Sequence, residues 1–121
     1  MSQPRLAPSV ADMETQRSGM SAAFETFGRE TPEHAGAWMR ATERLAQASA
    51  LDAKTQHLAY IAVLAAVGAE TGMPFHAALA REAGASREEV ASAVLVGLQP
   101  AGHTVIASLP AALAGFDAAA Q

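Results

Sequence analysis

The sequence predicts an all-α protein, a bundle of about six helices that assembles as a homo-oligomer. Half of its 121 residues are apolar while only 5% are aromatic, and alanine is abundant. Such a composition builds a core from closely approaching helices with small side chains, not from a sheet of β-branched and aromatic residues. Helix-start signals also recur along the chain: Thr31 before Pro32, Asp52 ahead of an apolar run, and Ser86 followed by Glu89. Finally, the segment from Leu58 to Val67 is apolar on nearly all sides, so it belongs in the middle of a bundle or in a subunit interface. So short a chain leaves too few layers to cover every apolar face, which is the reason to expect self-association.

Taken in order, residues 1–8 contain Pro4 and Pro8 without an apolar period and read as a flexible leader, ahead of a single domain over residues 9–121. A first helix is predicted from Ser9 as N-cap, with Asp12 in its first turn and Val10, Met13, Met20, Phe24 and Phe27 as its stripe. Thr31 as N-cap and Pro32 at the first helical position start a second helix to about Ala48, in which Trp38 and Met39 read as core. Asp52 caps the third helix, which ends at Gly68. The fourth begins near Pro74, carries His76, Leu79, Ala80 and Ala83 on one face, and stops at Gly84. Ser86 and Glu89 form a capping box for a fifth helix from Arg87 to about Leu98, with Val90, Ala93, Val94 and Gly97 inward. A last helix is predicted from about His103 through Phe116, kinked at Pro110.

Composition removes several classes of function. The net charge is −4 and the eight basic residues are scattered singly, so no cationic stripe exists for a nucleic-acid backbone. There is no cysteine, which excludes disulfides, thiolate metal sites, thiol nucleophiles and dithiol redox cycles. The opening MSQPRLAPSVADMET lacks the apolar segment of a secretory signal, so a cytoplasmic protein is expected. The apolar run from Leu58 to Ala69 is shorter than the roughly 18 residues of a membrane span and is closed by Glu70.

The candidates for chemistry cluster around the break after Gly68. Helical spacing puts His57, Tyr60, Ile61 and Leu64 on one stripe, so His57 and Tyr60 can point together at that break. An ordinary first-turn histidine is the alternative for His57. His76 lies just inside a helix on an otherwise apolar face, where an imidazole finds a partner or stays neutral, either as a satisfied core residue or as a general acid or base. Glu70 precedes it at the break and can fold back to orient the ring or remain a solvated turn acid. His103 and Thr104, next to Gly102, suit either contact with an anion or ordinary capping. No histidine spacing typical of a metal site occurs, so neither a metal nor another cofactor is expected.

The stretch LDAKTQHLAYIAVLAAVGAETGMPFHAALAREAGASREEVASAV resembles the core of the carboxymuconolactone decarboxylase and alkylhydroperoxidase (AhpD-like) superfamily, and GHTVIASLPAALAGF resembles the closing helix of its small members. The resemblance spans Leu51 to Phe116 and implies an AhpD-like all-α fold assembled as a trimer or hexamer. It also implies that the peroxidase branch keeps a Cys-x-x-Cys pair where this chain has Ala69 and Gly72, and a glutamate where it has His57. Only the histidine at position 76 matches. The decarboxylase branch needs no thiol; its Arg-Glu-x-Glu motif and following histidine match here at Glu70 and His76, with Ala69 and Gly72 replacing the arginine and the second glutamate. The arginine that follows the histidine in that branch is also absent, with Leu79 and Arg81 nearby.

Residues and resemblance together give the expectation of a carboxymuconolactone decarboxylase-like protein that decarboxylates or transfers protons on a small lactone, enol or keto acid. His76 is its acid/base, Glu70 tunes the ring, and His57 carries protons. Tyr60, with His103 and Thr104, contacts the substrate. The alternative is a degenerate relative in antioxidant defence that binds a small ligand or a partner protein without catalysis.

Overall fold

The computed structural model describes residues 21–120. The expected leader and the expected helix start at Ser9, with Val10, Asp12, Met13 and Met20, lie outside them. The described residues contain helices and no strand: α1 (Ala22–Glu30), α2 (Pro32–Ala48), α3 (Ala53–Val67), α4 (Met73–Glu82), α5 (Arg87–Leu95), the single turn α6 (Leu98–Ala101) and α7 (Leu109–Ala118). Two 3-10 segments, Glu70–Gly72 and His103–Ser108, lead into α4 and α7.

Local chemistry sets most of these boundaries. The Ser21 hydroxyl accepts the Phe24 N–H at 3.1 Å and the backbone at Ser21 is extended, so α1 is capped there. Asp52 caps α3 by accepting the Thr55 N–H at 2.8 Å, a bond that holds its carboxyl below the usual range. Gly68 closes α3 with φ 73°, a left-handed geometry that glycine adopts without a Cβ penalty. At α5 the capping box is complete: Ser86 Oγ accepts the Glu89 N–H at 3.1 Å and Glu89 Oε1 accepts the Ser86 N–H at 2.9 Å.

Four details differ from the sequence reading. Thr31 does not cap α2 with its side chain; its hydroxyl donates backward to the Phe27 carbonyl at 2.7 Å and finishes α1, while Pro32 alone supplies the start of α2. Helix α5 ends at Leu95, and the turn at Leu98–Ala101 is separate; at Gly97 between them a Cβ would stand 3.0 Å from Val105 Cγ1. The segment from His103 is 3-10, and Pro110 lies in the first turn of α7, where a missing N–H costs nothing, not at a kink. On α4 the deepest row is Met73, Ala77 and Ala80, with His76 beside it, half-buried.

Helices α3, α4, α5 and α7 form the body, and the 3-10 segment at His103–Ser108 packs along α3. Its core is alanine-rich, with Ile61, Met73, Val90, Val94 and Val105 fully buried among Ala77, Ala80 and Ala112. Each of the larger aliphatic side chains contributes about 1.5–3 kcal/mol by leaving water. Helices α4 and α7 are the closest pair: a Cβ on Gly115 would stand 2.6 Å from the Pro74 carbonyl oxygen. The same pair is tied again by Arg81, at the far end of α4, which donates to the Phe116 carbonyl at 3.1 Å and lies 4.4 Å from the centre of the Phe116 ring. Arg87 bonds both carboxylate oxygens of Asp117, at 2.9 and 3.2 Å, joining α5 to α7 and holding that carboxyl below its usual range.

Helices α1 and α2 form an arm that packs on itself and scarcely on the body. Phe24 and Phe27 meet edge to face at 5.8 Å within it, and neither helix has a buried residue. Trp38 and Met39 are therefore not core among the described residues: they are 55% and 46% exposed, because no described element packs across α2 to bury them.

Candidate functional site

The site forms where α3 faces the start of α4. Tyr60, one turn after His57 on α3, lays its ring on that of His76, with centroids 3.9 Å apart and planes 18° from parallel. Phe75 meets the His76 ring edge-on at 5.3 Å. Two aromatic neighbours and the helix backbone thus fix the imidazole in place, although it is only half-buried. Its Nδ1 is buried without a hydrogen-bond partner.

That environment sets the ring's protonation. Burial in apolar surroundings, followed by the nearby His57, pushes the His76 pKa down to about 4. At neutral pH the ring is uncharged, able to accept one hydrogen bond or proton and to donate through its other nitrogen. Tyr60 and Leu64 also line a hollow of about 520 Å³ between α2 and α3, whose walls include Leu45, Leu51 and Val63. Tyr60 therefore connects the His76 ring to the edge of an open, mostly apolar space.

The structure brings together only part of the predicted set. His57, Tyr60 and His76 converge. Glu70 sits in the 3-10 turn before α4, exposed, and its carboxylate makes no hydrogen bond or ion pair among the described residues. His103 and Thr104 lie exposed at the start of the second 3-10 segment, where the Thr104 hydroxyl donates weakly to the Ala101 carbonyl at 3.4 Å. Among the described residues no three His, Asp or Glu side chains gather as metal ligands, so His57, His76 and His103 do not form such a set. Ala69 and Gly72 flank the turn; a Cβ at Gly72 would stand 3.8 Å from His76 Cδ2 and 4.0 Å from Leu64 Cδ1, in ordinary contact with the site. Phe75 is the member the sequence reading missed. Its signal was adjacency to His76 at a helix start, where an aromatic residue is as easily read as core.

The described residues thus form an all-helical body with a histidine at the head of α4, beside a break that carries no thiol. The chain belongs to the carboxymuconolactone decarboxylase family, whose model matches residues 32–121. The match includes α2, upstream of the residues that carry the resemblance in sequence, and leaves α1 outside. No curated protein and no solved structure matches the chain. Among the described residues no helix is long and apolar enough to cross a membrane.

Proposed function

We propose that this protein is a cytoplasmic, self-associating enzyme, a trimer or hexamer, that uses His76 for acid/base chemistry on a small lactone, enol or keto acid. One observation carries the reading: a neutral imidazole is clamped by Tyr60 and Phe75, its Nδ1 buried without a partner, and Tyr60 borders an open hollow. An unsatisfied buried polar atom costs stability, which a chain tolerates where the ring serves chemistry, and the other ring nitrogen is the one left to meet a substrate hydroxyl or acidic C–H.

In the proton-transfer step the neutral ring takes a proton from an enol hydroxyl or from carbon beside a carbonyl, and returns it to a second carbon. In decarboxylation the ring first takes a proton from solvent as the substrate carboxylate binds; the bond to the departing carboxylate then breaks, its electron pair passes into the neighbouring carbonyl as CO₂ leaves, and the imidazolium gives its proton to the resulting carbanion, returning to the neutral form. A ring with a pKa near 4 is a weak base in the empty site. A substrate carboxylate beside it would favour the imidazolium and strengthen the base on binding. His57 on the same helical stripe is placed to relay the proton to solvent, and Tyr60 offers its ring and hydroxyl to the substrate.

The chain departs from a dicarboxylate site. Arg81 is engaged with Phe116, Arg87 with Asp117 and Lys54 with Glu89 at 2.8 Å, so these cations are committed elsewhere. The reading therefore favours substrates with at most one carboxylate. The same fact supports a second reading, a non-catalytic relative in antioxidant defence that keeps the hollow for binding alone. A thermal-shift screen of small lactones, enols and keto acids, followed by product analysis of every hit, separates the two. Catalysis predicts at least one hit that raises the melting temperature and yields product; hits that bind and are recovered unchanged support the second reading.

A further inference from the structure

Tyr60 and Leu64 each belong to two places at once. Tyr60 stacks on the His76 ring, and Leu64 Cδ1 stands 4.0 Å from where a Cβ on Gly72 would be, while both residues line the hollow of about 520 Å³ between α2 and α3. The same absent Cβ would stand 3.8 Å from His76 Cδ2, the ring carbon bonded to Nε2. Glycine at position 72 therefore leaves a gap with the wall of the hollow on one side and the imidazole on the other.

The hollow is built for an uncharged group. Leu45 and Leu51 face Ala59, Val63 and Leu64 across it, and no residue that lines it carries a charge. Leu45, Leu51 and Val63 are each more than half exposed, so an occupant would take apolar surface out of water. Its size falls in the range of small-molecule pockets, about 300–1,000 Å³. The second hollow, of about 580 Å³ between α3 and α5, differs in charge: Glu88 and Glu89 stand in its wall and repel an acid.

We infer that the substrate is a monocarboxylic acid whose apolar tail lies in the hollow between α2 and α3, and that Gly72 is the specificity-determining gap through which its head reaches His76. The head's place at His76 rests on the proposed function; the tail's place in the hollow does not. A second charge at the tip of the tail would be buried against Leu45 and Val63 without a partner, which excludes a dicarboxylate of the same length. At position 72 a Cβ alone is already in ordinary contact with the ring and with Leu64, so any larger side chain closes the gap.

Calorimetric titration with straight-chain 2-oxo acids, from 2-oxobutanoate to 2-oxodecanoate, tests the tail without turnover. Affinity should rise about two- to fourfold with each added methylene until the hollow is filled. The dicarboxylate 2-oxooctanedioate should bind about tenfold or more weaker than 2-oxooctanoate. Val63→Lys puts a cation in the exposed wall and should narrow or reverse that preference. Ala59→Phe fills the hollow, should abolish the dependence on chain length, and carries the test if Val63→Lys loses helicity. The ring-proton resonances of His76 should shift when 2-oxooctanoate binds the wild-type protein and stay in place in Gly72→Val. No binding by any member, affinity independent of chain length, or a chain-length dependence that survives in Ala59→Phe would overturn the hollow as the tail site. Equal binding of the two acids that differ only in the second carboxylate, or a preference unmoved by Val63→Lys, would do the same. His76 resonances that ignore the ligand, or respond alike in Gly72→Val, would overturn the gap. Tight binding of long acids with no product from any of them would leave the tail site standing and sink the acid/base reading, whereas turnover without dependence on chain length would do the reverse.

Discussion

Alanine in place of His76 is expected to lower turnover roughly 10²- to 10⁴-fold on any substrate the wild-type protein converts, the range removed with a positioned general acid or base. The assembly should be unchanged, since the ring contacts Tyr60 and Phe75 within its own chain. His76→Gln makes the test sharper: it keeps a hydrogen-bonding group near the same place but cannot accept a proton at neutral pH, so binding should persist while turnover falls. Steady-state kinetics with circular dichroism on both variants checks this. Full turnover in His76→Gln would move the chemistry to another group, with His57 the next to examine.

Gly115→Ala is expected to produce the largest loss of stability from a single added methyl. The new Cβ would stand 2.6 Å from the Pro74 carbonyl oxygen and 2.9 Å from the carbonyl carbon, and both are backbone atoms that cannot swing aside. Helices α4 and α7 must separate instead, an overpacking that costs about 1–3 kcal/mol. In a domain of this size that lowers the melting temperature by roughly 4–20 °C. The displacement also moves the first turn of α4, so His76 should lose register with Tyr60 and activity should fall with stability. Gly28→Ala is the control: a Cβ there meets nothing within 4 Å, so the melting temperature should hold or rise slightly.

How much of this was legible in the sequence follows the range of the interactions. The caps at Asp52 and Ser86 and the helix ends at Gly68 and Gly84 are decided within a few residues, and the chain shows them. The direction of the Thr31 hydroxyl was not legible, because the Phe27 carbonyl four residues back and the free N–H groups of α2 two or three residues ahead compete for it. Nor was the exact phase of α4: Ala80 was expected inward beside Leu79 and Ala83, but the fully buried row is Met73, Ala77 and Ala80, and packing against α7 and α3 selects it. Trp38 and Met39 show the opposite failure. Their spacing declares an apolar face correctly, but which surface covers it is not a property of α2.

At the site, helical spacing placed His57 and Tyr60 on the side of α3 that faces α4, and the stack of Tyr60 on His76 is the contact that spacing can lead to. Glu70 was less readable. A glutamate six positions before a histidine, across a turn, can face either way, and the 3-10 geometry of Glu70–Gly72 leaves it in solvent.

The central claim is that His76 is a neutral imidazole held in an apolar setting, and nuclear magnetic resonance titration of its ring protons tests that most directly. With a folded pKa of about 4 against an ordinary 6.5, the unfolded chain binds the proton more readily between those values. Stability therefore rises with pH from about 4 to 6.5, levels off above, and is lost as pH falls through the folded pKa. Water around a half-exposed ring limits the effect to about 1–2 kcal/mol. The account predicts a His76 midpoint near pH 4 in the empty protein, moving upward when a carboxylate-bearing ligand binds. A midpoint near 6.5 with no response to such a ligand would contradict it.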